Sequence, residues 1–120
     1  MRGRRAAVVL LATGVAAAAV IPAASLGASK PVHKTVKVGD DFFAPEKFSV
    51  PRGSTIVFKW VNTNVNTHDV KLRRGPKGVK RFHSDPAAAY FSYKRKLTVK
   101  GKYKVVCTFH VGMDATIVVR

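Results

Sequence analysis

One cysteine, six acidic residues and an almost complete lack of helical patterning bound what this 120-residue chain can be. A lone thiol has no partner within its own chain, which excludes a disulfide-stapled scaffold. The six Asp+Glu stand against 22 Lys+Arg, a formal net charge of +16. Such a balance disfavours basic partners and favours acidic proteins, anionic surfaces or nucleic acid. Past the N-terminal region no stretch holds a sustained 3.6-residue apolar period, so a helical bundle is excluded. No internal repeat or low-complexity tract is visible past the N-terminal region, and with it goes any solenoid reading.

What is present begins at the N-terminus. Residues 1–29 read "MRGRRAAVVLLATGVAAAAVIPAASLGAS". Three arginines precede an apolar run over 6–20, which Pro22 and small residues close. That is the layout of a secretory signal peptide, with Ser25 and Ser29 both near plausible cleavage sites. The alternative is an uncleaved anchor, for which the run is short. The expected organisation is a leader over 1–29 and one domain over 30–120, exported to the periplasm or to the extracellular side or cell surface. Without Arg2, Arg4 and Arg5 the domain keeps 19 Lys+Arg against 6 Asp+Glu, or +13. Export makes nucleic acid the least suitable acidic partner. About 91 residues suffice for one core and no second domain.

The pattern of the domain is β throughout. After a short linker, "KPVHK", strands are expected over 35–38, 47–50, 54–62, 68–73, 79–82, 89–99, 102–107 and 114–120. Residues 85–90 have room for one helical turn. In the third strand Ile56, Phe58 and Trp60 share a face, and in the seventh Tyr103, Val105 and Cys107 do. About eight short strands with turns every eight to twelve residues predict an all-β sandwich or barrel. Tyr103 is a candidate corner tyrosine of a Greek-key sandwich by analogy. Trp60, Phe58 and Tyr103 are expected in the core rather than as electron-relay groups.

The chemistry concentrates in "CTFHVGM", residues 107–113. A free thiol in an oxidising compartment is exposed to oxidation unless buried or bound, and a buried cysteine can be no more than a small hydrophobe. Here an imidazole and a thioether follow within seven residues. Thiolate plus thioether is a soft donor set that points to copper, and a blue-copper site takes two His, one Cys and a weak axial Met. The loop supplies one histidine. His68, between the polar turn "NTNVNT" and Val70, is the best second candidate. His33 lies in the linker. His83 could approach the same end, but an exposed loop position suits it better, because the ligand positions are already filled.

These residues carry a resemblance. "DDFFAPEKFSVPRGSTIVFKWVN", "THDV", "GKYKVVCTFHVGM" and "ATIVVR" resemble the cupredoxins, the blue-copper family of plastocyanin, pseudoazurin and amicyanin, over almost all of 35–120. The two-residue spacings in the ligand loop are similar to those of amicyanin. The resemblance implies a cupredoxin-like Greek-key sandwich holding one type 1 copper, with His68, Cys107, His110 and Met113 as ligands. It also implies that His110 forms the electron port through an apolar patch with Phe109 and Val111. Two departures stand out. Asp69 occupies a position often held by Asn, where it can accept from backbone N–H groups or the Thr108 hydroxyl, and its charge would favour Cu(II). Phe109 stands where Pro is frequent. Gly112 would let the loop turn tightly before Met113.

The expected function is single-electron transfer by a monomer to an acidic redox partner, with the basic segment 71–81 either a solvated loop or part of the docking rim. Transient association with an anionic cell surface is compatible with the charge. The alternative is a copper carrier or chaperone using the same ligands. An enzyme is disfavoured. Val106 and Thr108 flank the cysteine where oxidases use histidines, a dinuclear centre needs a second cysteine, and four histidines leave too few ligands for a catalytic copper.

Overall fold

The computed structural model of the protein describes residues 13–14 and 29–120, and the leader expected over 1–29 falls largely outside them. Among the described residues no helix is long and apolar enough to cross a membrane. Eight strands form two sheets: β1 (His33–Gly39), β2 (Phe42–Ala44), β3 (Lys47–Val50), β4 (Thr55–Trp60), β5 (Lys71–Arg74), β6 (Ser92–Lys96), β7 (Gly101–Val106) and β8 (Asp114–Val119). One sheet has the order β2-β1-β4-β6 and the other β3-β8-β7-β5. Strands β1 and β4 run parallel, as do β3 and β8, and the remaining pairs are antiparallel. This is the all-β sandwich that the strand spacing implied.

Strand alternation builds the core. Val36 and Val38 of β1 and Ile56, Phe58 and Trp60 of β4 point inward, and Tyr103 and Val105 of β7 with Ala115, Ile117 and Val119 of β8 meet them from the opposite sheet. Every second residue faces out, so these strands alternate buried apolar with exposed polar groups. The inward parity of Tyr103, Val105 and Cys107 is as the pattern predicted. Trp60 anchors the layer further, because its indole N–H donates to the carbonyl of Ala87 at 2.8 Å.

Several boundaries differ from the expectation, each for a local reason. The linker ends early, since β1 starts at His33 and pairs with Thr55 of β4. Strand β2 was not anticipated. It is three residues long, too short for alternation to register, and it exists because Asp40 and Asp41 turn the chain back on β1. Residues 79–82 form no strand. Val79 bonds back to Pro76, Phe82 accepts the Leu72 N–H, and the next residue, His83, bridges Lys71. The strand expected over 68–73 starts at Lys71, and His68 forms an isolated bridge with Ala87 instead. That bridge, with N···O distances of 2.9 and 3.0 Å, ties Ala87 to His68, and residues 85–90 form no helical turn. The strand expected over 89–99 is confined to β6, because Tyr90 takes a positive φ of 53° and Leu97 turns inward.

Tyr103 is 1% exposed and its hydroxyl donates to the carbonyl of Val99, four residues upstream, at 2.6 Å. This is a tyrosine corner, and it pins the loop entering β7 to β7 itself, the strand that leads into Cys107. Tyr103→Phe removes one neutral hydrogen bond without opening a cavity. It is expected to lower stability by about 1 kcal/mol, measured by urea unfolding of the metal-free protein.

Candidate metal centre

Four connections meet at one end of the sandwich: the β1–β2 turn, the β4–β5 and β5–β6 loops, and the β7–β8 loop at residues 107–113. Cys107 extends the inward register of β7 by one more alternation and is 4% exposed. Its N–H donates to the carbonyl of Met113 at 2.9 Å, and the Met113 N–H donates to the carbonyl of His110 at 3.3 Å. Gly112, with φ at +84°, supplies the left-handed residue that this closure needs. The loop is thus a tight return that gathers the Cys107 and His110 donor atoms at one spot, with Met113 closing it.

His68 reaches that spot from the β4–β5 loop. Its side chain is fully buried, and its ring lies 4.9 Å from that of His110. One donor atom from each of His68, Cys107 and His110 lies within 4.8 Å of the others. Met113 is 2% exposed and lines the same pocket as Cys107 and His110. All four residues singled out in the sequence therefore come together, three as a donor cluster and Met113 on the adjoining wall.

The histidines are held from behind. Nε2–H of His68 donates to Oδ1 of Asp40 at 2.9 Å, and Nε2–H of His110 faces Oδ1 of Asp41 at 3.1 Å. Nδ1 of His110 lies 3.6 Å from the Cys107 sulfur. Nδ1 of His68 is buried without a hydrogen-bond partner among the described residues. A buried nitrogen left unpaired costs about 1–3 kcal/mol. Its lone pair, next to a thiol and a second imidazole, is what a soft metal ion would satisfy.

Behind the cysteine sits Asp69, 2% exposed. Its carboxylate accepts the Thr108 N–H at 2.6 Å and the Thr108 hydroxyl at 2.6 Å, both of the donors anticipated for it. It also accepts Nε2–H of His83 at 2.7 Å. Burial pushes its pKa up, but the His83 and Thr108 hydrogen bonds outweigh that, and the net shift is downward. The carboxylate is therefore ionised at neutral pH. Burial is the largest influence on Cys107 and raises its pKa; N–H donors from Asp69, Phe109 and His110 oppose the rise, and the Asp69 charge adds to it.

Sequence reasoning missed two features here. His83, read as an exposed loop residue, is half exposed but bonds directly to Asp69. Nothing local signals this, because the two residues, 14 positions apart, are brought together by the pairing of 82–84 with β5 and Val70. The roles of Asp40 and Asp41 were equally hidden. Their one sequence signal is that two acids occupy a turn in a chain that has six in all.

The sequence profile described as "Copper binding proteins, plastocyanin/azurin family" matches residues 31–120. The chain belongs to that family. Solved cupredoxin structures share its fold. The pseudoazurin of Methylobacterium extorquens AM1 superposes with a TM-score of 0.63 at 23% identity, covering 72% of this chain and 74% of that one. A reduced amicyanin variant gives 0.63 at 22% identity, covering 73% of this chain and 82% of that one. The Cu-containing nitrite reductase of Thermus scotoductus SA-01 gives 0.64 at 22% identity over 77% of this chain, which spans only 23% of the reductase. No curated protein matches in sequence. For a cupredoxin, the buried thiol, the two imidazoles and the unpaired Nδ1 suit one type 1 copper.

The tie between the two ligand loops runs through Thr108. Thr108→Val deletes its hydroxyl bond to a buried carboxylate and is expected to cost about 1.5–3 kcal/mol. Urea unfolding of the metal-free protein measures it, and an unchanged midpoint would show that the loops are held by other contacts.

Proposed function

We propose that this cupredoxin is an exported carrier of single electrons, with residues 1–29 as its leader and 30–120 as its copper domain. His68, Cys107, His110 and Met113 are the ligands in this reading. Bound copper supplies the one-electron Cu(II)/Cu(I) couple. The observation that carries the reading is the donor cluster, already gathered within 4.8 Å and buttressed on every side by hydrogen bonds. A site that needs little rearrangement suits repeated electron exchange, in which each change of charge must be accommodated without moving ligands. Burial of Cys107 and Met113 favours retention of the metal over a carrier that hands it on. Asp69, ionised beside the cysteine, biases the site toward the more highly charged Cu(II).

The same end offers a surface for brief encounters. His110 is partly exposed, and Phe42, Val65, Phe109 and Val111 stand out from the loops around it. Lys71 and Arg73 line the pocket that Cys107, His110 and Met113 share. An apolar port with a basic flank suits an acidic redox partner, and the surrounding charge acts chiefly on the association rate. We read the protein as a monomer and not an enzyme, since its one cysteine lies between Val106 and Thr108 rather than between further ligands.

Titration of the purified domain with Cu(II) tests the function. One equivalent should bind and produce intense visible absorption from thiolate-to-copper charge transfer, and Cys107→Ser should abolish the colour. Met113→Leu should keep the metal and raise the potential. A colourless Cu(II) complex of the parent protein would refute the reading.

The partner is tested separately by stopped-flow electron transfer. With an acidic partner the rate should fall as salt rises and the Debye length shrinks below about 8 Å. Reversing Arg73, Arg74 and Lys77 to Glu should slow that pair without changing the copper spectrum. A salt-independent rate would remove the basic flank from docking.

A further inference from the structure

The β1–β2 turn places two consecutive carboxylates against the outer nitrogens of two histidines that come from different loops. Asp40 bonds Nε2 of His68 at 2.9 Å, and Asp41 lies 3.1 Å from Nε2 of His110. The turn is itself fixed. Asp40 also accepts the N–H groups of Val65 at 3.0 Å and Asn66 at 3.1 Å, and the Asn66 side-chain amide donates to Asp41 at 3.3 Å. Asp41 holds a φ of 70°, a left-handed conformation that Asp tolerates better than most residues. That conformation turns the strand back while its carboxylate stays beside His110.

We propose that the Asp40-Asp41 turn is a clasp that sets both imidazoles in the Nε2–H tautomer, so that both Nδ1 lone pairs face Cys107 before any metal arrives. The proposal rests on the copper-site reading given above and deepens it. An ionised carboxylate only accepts, so Nε2 of His68 carries the proton of its bond to Asp40, and Asp41 beside Nε2 of His110 favours the same arrangement there; in a neutral ring Nδ1 is then bare. The two bare nitrogens are where the clasp requires them. Nδ1 of His68 is buried and unpartnered among the described residues, and Nδ1 of His110 points at the Cys107 sulfur from 3.6 Å. Asp40 and Asp41 are positioning residues: they touch the ligands and not the metal.

The clasp does two separable things. It orients the rings, and it adds negative charge close to the metal, which favours Cu(II) and lowers the potential. Asp41 allows these to be split, because Asp41→Asn keeps a carbonyl oxygen that can accept Nε2–H but loses the charge, while Asp41→Ala loses both. Nitrogen-15 NMR of the metal-free protein at about pH 8, above the ordinary imidazole pKa, reads the tautomers. The parent and Asp41→Asn should show His110 as Nε2–H, and Asp41→Ala should show a mixture while His68 is unchanged. With copper, both variants should have a raised potential and a weaker grip on Cu(II), and Asp41→Ala should lose about 10-fold more Cu(II) affinity than Asp41→Asn. An unaltered His110 tautomer in Asp41→Ala overturns the clasp, as does an equal loss of affinity in the Ala and Asn variants. If the parent binds no copper, the functional reading fails while the metal-free spectra still decide the clasp.

Discussion

A carboxylate sealed inside the open end of a β-sandwich is the interaction on which the rest of this site depends. Asp69 is almost wholly removed from water, and a buried charge persists only when its lone pairs are filled. It takes its donors from two other segments, Thr108 on the β7–β8 loop and His83 on the β5–β6 loop. The penalty for leaving such a charge unpaired is what draws the three loops together. Cys107 lies one residue before Thr108, and His68 one residue before Asp69, so satisfying the carboxylate also brings the thiol and the imidazole into the same small volume.

Around that centre the imidazoles at this end of the molecule follow one rule. His68, His83 and His110 each present Nε2 to an aspartate, respectively Asp40, Asp69 and Asp41. Half of the acids in the chain are used this way, which explains how so basic a protein can have its few carboxylates matter so much. The bases are left mostly to solvent. Among the described residues Lys104 with Asp114, at 3.7 Å, is the one ion pair made by a lysine or arginine. Positive charge shapes the field around the molecule, and negative charge shapes its interior chemistry.

Much of this was legible in the chain, and the reasons are physical. Strand parity needs only a period of two, so the inward set of β4, β7 and Cys107 could be read directly. The 107–113 loop is contiguous, and its soft donors gain weight from "THDV" and "GKYKV" beside them. The acceptor role of Asp69 followed from its place beside His68. What could not be read were contacts closed by long-range pairing: His83 on Asp69 depends on residues 82–84 lying along Val70 and β5, and the histidine partners of Asp40 and Asp41 are 28 and 69 residues away. Strand β2 escaped for a different reason, since three residues carry too little pattern to be distinguished from a turn.

The outer strands of the two sheets carry one more consequence. Strand β5 closes one sheet with Lys71, Arg73 and Arg74, and β6 closes the other with Lys94, Arg95 and Lys96. A sheet edge offers unpaired backbone groups that another chain can join by adding a strand. A second copy approaching β6 brings cations toward its row of cations, and the β5 edge, besides its own cations, is already bonded by Phe82 and His83. These two edges therefore resist the addition of a further strand, a safeguard written into β5 and β6, which supply none of the donor atoms gathered at the end of the sandwich.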